Sequence, residues 1–121
     1  MGITQQRGQE AEDRACGFLQ AQGLRLLRRN YRLAAGPGRR GGEIDLIMRD
    51  ESGTLVFVEV RLRSGGRQGG AAASVTWLKQ RRIVRAAQHF LLSWPGTPAC
   101  RFDLVAIDGA RLQWCPGAFE A

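Results

Sequence analysis

Two acidic side chains interrupt runs that otherwise spell buried β-strand: Asp45 in Gly42-Glu43-Ile44-Asp45-Leu46-Ile47, and Glu59 in Val56-Phe57-Val58-Glu59-Val60-Arg61. Burying an unpaired polar group costs about 2–7 kcal/mol, and an ion costs more, so such carboxylates need a partner or a cation. Mg²⁺ or Mn²⁺ suits oxygen ligands of this kind, since such ions are commonly held by one or two carboxylates, water and phosphate. An ion so held polarises a phosphodiester and lowers the pKa of a bound water. Arg61, two residues beyond Glu59 on the same strand face, is placed to stabilise charge building on the phosphorus centre. Glu12, on a preceding helix, can complete the acidic set. The residues alone leave a second reading open, in which Asp45 and Glu59 are strand-edge carboxylates bonded to nearby arginines and Glu12 is an ordinary boundary residue.

The elements that must position these groups follow from periodicity. Ala11, Ala15, Phe18 and Leu19 make one apolar stripe of a helix over residues 5–22, ended by Gly23, with Glu12 at the stripe's margin and Asp13 pointing outward. A strand follows over residues 24–32, carrying arginines at 25, 28, 29 and 32. Beyond a glycine-rich basic loop with Arg39 and Arg40, residues 43–49 and 54–63 form a hairpin turned by Asp50-Glu51-Ser52-Gly53. Strict alternation puts Ile44, Leu46 and Met48 on one face, and Asp45 on the other with Glu59 and Arg61. Asp45 and Glu59 then lie within about 5–8 Å, where two carboxylates repel unless a cation sits between them. After a Gly/Ala loop with Arg67, a second helix spans residues 74–94 and is capped by Ser74. It buries Ile83, Ala86, Ala87, Phe90, Leu91 and Trp94, keeps Thr76, Lys79 and Gln80 inward in its first turns, and turns Arg81, Arg82 and Arg85 outward. Strands at 100–107 and 111–115 complete the order α-β-β-β-α-β-β, one α/β domain over residues 1–121.

Composition narrows the partner. The 121 residues carry a formal charge of +7, almost all of the positive charge is arginine, and Lys79 is the sole lysine. Arginine presents a planar fork of donors that fits phosphate oxygens in pairs, so the balance favours nucleic acid. No stretch is long and apolar enough to span a membrane, and the N-terminus lacks a signal peptide's apolar run, which implies a cytoplasmic protein. Cys16, Cys100 and Cys115 form no CxxC pair and read as small buried hydrophobes.

Other candidates are weaker. Glu43 is read as an outward salt-bridge partner, Asp103 as the partner of an arginine, and His89 as a surface residue that supports no Ser–His–Asp or Cys–His set. Trp77, Trp94 and Trp114 are read as packing, with Trp77 the one that can instead stack on a base. The Gly65–Ala73 loop lacks a Walker Lys-Ser/Thr ending.

The chain resembles a known pattern, an acidic residue followed by a hairpin and (D/E)-x-K, as in PD-(D/E)xK nucleases. It is more closely similar to the YraN family of bacterial proteins, which resembles Holliday-junction resolvases. The likeness is carried by Gly8-x-x-Ala11-Glu12-Asp13-x-Ala15, Gly42-Glu-Ile-Asp-Leu-Ile47, Val56-Phe-Val-Glu-Val-Arg61, Gly69-Gly-Ala-Ala-Ala-Ser-Val75, Lys79-Gln80 and Arg101-Phe-Asp-Leu-Val105. It implies a restriction-endonuclease-like fold, a mixed sheet flanked by helices, and an Mg²⁺- or Mn²⁺-dependent endonuclease acting on DNA, branched or otherwise structured DNA included. By the same resemblance Asp45 and Glu59 are metal ligands, Glu12 is a third acidic member, and Lys79 and Gln80 lie near the scissile phosphate. Arg39, Arg40, Arg63 and Arg67 are further expected contacts to nucleic acid. Arg61 stands where these nucleases carry lysine; it keeps the charge but cannot serve as a base. The alternatives are a non-catalytic nucleic-acid-binding protein on the same fold, or an adaptor for an acidic partner. Resolvases of this type act as dimers, so a homodimer is implied too.

Overall fold

The computed structural model describes residues 3–37, 41–63 and 75–121, with side chains from residue 8 onward. Ala11, Ala15 and Leu19, spaced one turn apart, are buried with Cys16 along one side of helix α1 (Ile3–Ala21). The helix stops at Gly23, whose φ of 98° suits glycine; its N–H bonds Gln20 O, and Leu24 N–H reaches back to Leu19 O. That closing pattern satisfies carbonyls the helix end would otherwise leave bare.

The five strands are β1 (Arg25–Leu33), β2 (Gly42–Arg49), β3 (Leu55–Leu62), β4 (Cys100–Asp108) and β5 (Arg111–Phe119). They lie side by side in that order, antiparallel except for the β3–β4 pair. A parallel pair needs a crossover, and helix α2 (Trp77–Leu91) supplies it. Helix α1 covers one face, packing on Leu46, Met48, Val56, Val58, Val105 and Ile107. Helix α2 covers the other, where Ile83, Val84, Ala86 and Ala87 meet Ile44, Ile47, Leu55, Phe57, Phe102 and Leu104. The result is the expected three-layer α/β arrangement with a mixed sheet in the middle. No described helix is long and apolar enough to cross a membrane.

Several boundaries and faces depart from the sequence expectation. Helix α2 begins at Trp77, and its cap is Thr76, whose hydroxyl accepts the Lys79 N–H at 3.2 Å; Ser74 lies outside the described residues. The helix ends at Leu91, short of Trp94. Strand β5 continues past Cys115 through Pro116 to Phe119, which an edge strand tolerates because an outward-facing N–H is dispensable there. Arg82 and Arg85 are half-buried instead of pointing outward, while Arg81 is exposed as expected.

Strict alternation fails on β2, and the reason bears on the site. Ile44 packs on the α2 side with Ile47, whereas Leu46 and Met48 pack on the α1 side. The neighbouring β1 follows in unbroken register there, its one shift lying earlier, between Leu26 and Arg28: Arg29 pairs with Leu46 and Tyr31 with Ile44, leaving Asn30 across from Asp45. Asn30 has φ 54°, a left-handed conformation that asparagine tolerates better than most residues. Both strands therefore change faces at Asn30 and Asp45.

Candidate active site

The face change sets Asp45 at the junction between the two sides of the sheet. The β2–β3 ladder runs to Leu46 opposite Val58, a register that carries Asp45 to Glu59 as its next partner. There the strands stop exchanging backbone bonds, and Val60 N–H donates instead to Asp45 Oδ2 at 2.7 Å. The Asp45 carboxyl is also hydrogen-bonded to that of Glu59, which is 3 % exposed. Burial, then the charge of Glu59, push the Asp45 pKa up to about 8, against the opposing pull of the Val60 N–H. Asp45 thus holds a proton near neutrality, as one of two crowded carboxylates is driven to do.

Glu12 approaches from α1. It lies with Asp45, Asn30, Arg32 and Glu43 around a cavity of about 540 Å³. Burial, and then the charge of Asp45, raise its pKa; Arg29 and a hydrogen bond from Asn30 pull the other way. Arg29 binds Glu12 Oε1 at 3.4 Å and Asp13 Oδ1 at 2.7 Å, so it bridges the exposed and inner acids of the same helix turn. Sequence reasoning named neither Arg29 nor Asn30 as a site residue. An asparagine inside a strand, where that residue is disfavoured, was the available signal.

The cation closest to Glu59 is not the one that motif spacing indicates. Lys79 Nζ lies 3.1 Å from Glu59 Oε2, and Arg61 Nη1 lies 3.9 Å from the same oxygen. The Thr76 cap fixes the first turn of α2 and so directs the lysine at the buried carboxylate. Lys79 also lines a second cavity, of about 280 Å³, with Arg82, Arg32 and Glu43. Gln80 spends its side-chain amide on Val75 O at 3.0 Å. Arg63 donates its backbone N–H to Ile107 O at 2.8 Å beyond the end of β3. Arg39, Arg40 and Arg67 lie outside the described residues.

The structure therefore brings Glu12, Asp45, Glu59, Arg61 and Lys79 to one end of the sheet. Among the described residues no three Asp, Glu, His or Cys side chains close on a common point as a ready-made metal cage. Asp45 and Glu59 alone fit the lighter demand of Mg²⁺, which retains waters and needs one or two carboxylates; the raised proton affinity of Asp45 marks where positive charge is wanted.

The weaker candidates sort themselves. Glu43 pairs outward with Arg32 at 3.1 Å, as expected. Asp103 is fully buried and saturated by Arg101 Nε (3.0 Å), Trp114 Nε1 (3.0 Å) and Gly117 N–H (2.9 Å), a structural knot between β4 and β5. His89 is exposed but not alone: its Nδ1 meets the Tyr31 hydroxyl. Trp94 and Trp114 pack against the core, but Trp77 is 68 % exposed. Cys16 is buried; Cys100 is exposed, contrary to expectation.

Comparison with known proteins agrees with the sequence resemblance. A sequence model of the family described as "Uncharacterised protein family UPF0102" matches residues 11–107, a span that holds Glu12, Asp45, Glu59, Arg61 and Lys79. A UPF0102 protein of Acidovorax sp. is 60% identical over 118 residues, covering 98% of this chain and 87% of the relative. A UPF0102 protein of Methylibium petroleiphilum is 54% identical over 121 residues, covering 100% of this chain and 99% of the relative. A match across both whole chains at this identity leaves one conclusion: the chain belongs to the UPF0102 (YraN) family.

Proposed function

We propose that the protein is a divalent-metal-dependent endonuclease acting on DNA. The observation that carries this reading is the Asp45–Glu59 pair, two carboxylates in hydrogen-bonding contact on adjacent strands, beside an open cavity and two cations. A structural salt bridge does not need two acids pressed together at a cost in repulsion; a cation site does.

Asp45 and Glu59 would hold Mg²⁺ or Mn²⁺, which when bound polarises the scissile phosphate and makes hydroxide available near neutral pH. Lys79 and Arg61 neutralise the oxygens of the phosphate as negative charge builds on them. Glu12 faces the same cavity, and its raised proton affinity suits it to accept the proton of the attacking water. Attack forms one P–O bond and breaks the bond to the leaving oxygen, which takes its proton from solvent. Arginine at position 61 remains charged throughout, so the motif's own cation does not act as the base.

A second reading, a nucleic-acid-binding protein without catalysis, draws on the arginine at 61 and on the hold Arg29 has on Glu12. Titration of Mn²⁺ into wild type and Glu59→Ala separates the two. The nuclease reading expects a binding heat that vanishes in the variant, with cleavage of forked or four-way DNA by the wild type alone. Equal heats remove the metal site, and tight DNA binding with no cleavage in either metal leaves the binding module.

A further inference from the structure

Helix α2 carries three cations on one side at steps of three residues, Lys79, Arg82 and Arg85, and each lines a cavity. These cavities are not separate features. The acidic one, with Glu12 and Asp45, shares Arg32 and Glu43 with the one beneath Lys79 and Arg82. That one shares Leu33 with a third, of about 440 Å³, lined by Arg85, Gln88 and His89. Shared lining thus links the three cavities in series, from the carboxylates past the end of β1 and the start of β2 and along α2, and this series is the groove. Arg82 and Arg85, both half-buried, line it, whereas Arg81 is exposed. Among the described residues no acidic side chain lines the groove beyond Glu43, and Glu43 is already paired with Arg32.

We propose that this groove is a binding track for the phosphodiester backbone of the nucleic-acid strand that leaves the carboxylate site, with Arg82 and Arg85 contacting successive phosphates beyond the one at Lys79. The rise from residue 79 to 85 is about 9 Å at 1.5 Å per residue, which spans two to three phosphates at the roughly 3.4 Å axial repeat of one duplex strand, or two in a more extended strand. Arginine forks paired with phosphate oxygens position a strand without reading its bases, so the track confers affinity and direction but no sequence preference. The inference rests on nucleic acid being the partner, but not on metal binding or cleavage.

The test measures binding of a fluorescein-labelled four-way DNA junction by anisotropy, in EDTA, from about 50 to about 200 mM salt. The double variant R82Q/R85Q is expected to weaken binding and to flatten the slope of log affinity against log salt by about two units, roughly one per lost phosphate contact. R82K/R85K, which keeps the charges, restores most of that slope and guards against misfolding as the cause. R81Q removes an equal charge from the exposed, outward side of the same helix, and its slope is expected to change by less than about half a unit. A slope in R82Q/R85Q equal to wild type, an R81Q slope flattened as much per charge, or a wild type that binds no DNA overturns the track. Equal Mn²⁺ heats in wild type and Glu59→Ala, with the R82Q/R85Q effect intact, sink the nuclease reading and leave the track standing.

Discussion

Asp45 carries the sharpest consequence of a single side chain. Its pKa in the fold, about 8, lies above the ordinary 3.8, because burial and the charge of Glu59 disfavour ionisation. Between those values the folded protein keeps a proton that the unfolded chain has released. The associated stability is complete below about pH 4 and is lost as pH rises through 8, a change on the order of a few kcal/mol. Metal-free protein should therefore melt at a lower temperature near pH 9 than near pH 6, and Asp45→Asn should flatten that difference. A wild type and variant with parallel melting profiles would contradict the buried proton. Lys79 offers a second prediction. If its ammonium stabilises the reacting phosphate, Lys79→Ala should lower the cleavage rate by about 10²–10³, while Arg61→Lys should be nearly neutral. Asp45 and Glu59 were legible in the sequence because a carboxylate inside an apolar run is conspicuous. The lysine's partnership with Glu59 was only half legible: helical periodicity placed it inward, but its target depends on how α2 crosses the sheet. Asn30 was announced only by being an asparagine inside a strand, and Arg29 not at all, because their role arises from a change of strand faces that the pattern of apolar residues does not mark.

At the scale of elements, Gly42 sets that crossing. A Cβ there would stand 2.5 Å from Arg82 O and 3.3 Å from the Ala86 methyl, so the start of β2 and the middle of α2 touch with no room for a side chain. Gly42→Ala should cost about 1–3 kcal/mol in urea denaturation, by forcing the helix outward, and should draw Lys79 away from Glu59. A substitution that leaves both stability and activity unchanged would show that the contact relaxes freely. Asp103 is the counterpart on the other side of the sheet. Asp103→Ala leaves Trp114 Nε1 and the Gly117 N–H without their acceptor, though Arg101 keeps Asp50 at 3.1 Å, and should cost about 1–3 kcal/mol in urea denaturation for each donor left unsatisfied, without altering metal binding. The element order and the sheet–helix layering were readable from periodicities of 2 and 3.6 residues. The beginning of α2 was not, since Ser74 and Thr76 are both competent caps and only the packing of the first turn chooses between them. The full length of β5 was missed because Pro116 and Gly117 look like a stop signal. In place, the Gly117 N–H, at φ 60°, is turned inward to Asp103.

For the molecule as a whole, a net charge of +7 coexists with two crowded carboxylates at one end of the sheet. Charge alone indicated a polyanionic partner; it could not reveal that Arg82 and Arg85 fold inward along a groove, because a helical wheel knows nothing of the loop and strand beside it. The margins of the sheet hold one more implication. β1 and β5 are its two outer strands. β1 bears four arginines, and β5 is broken by a proline that lacks an N–H and a glycine whose N–H is spent inside. Both rims resist another chain's backbone: one sets arginine against arginine, and the other has its row of donors interrupted at Pro116 and Gly117. Joining the sheets of two copies into a continuous ribbon is therefore disfavoured at both margins, which tilts any self-association toward helix and loop surfaces.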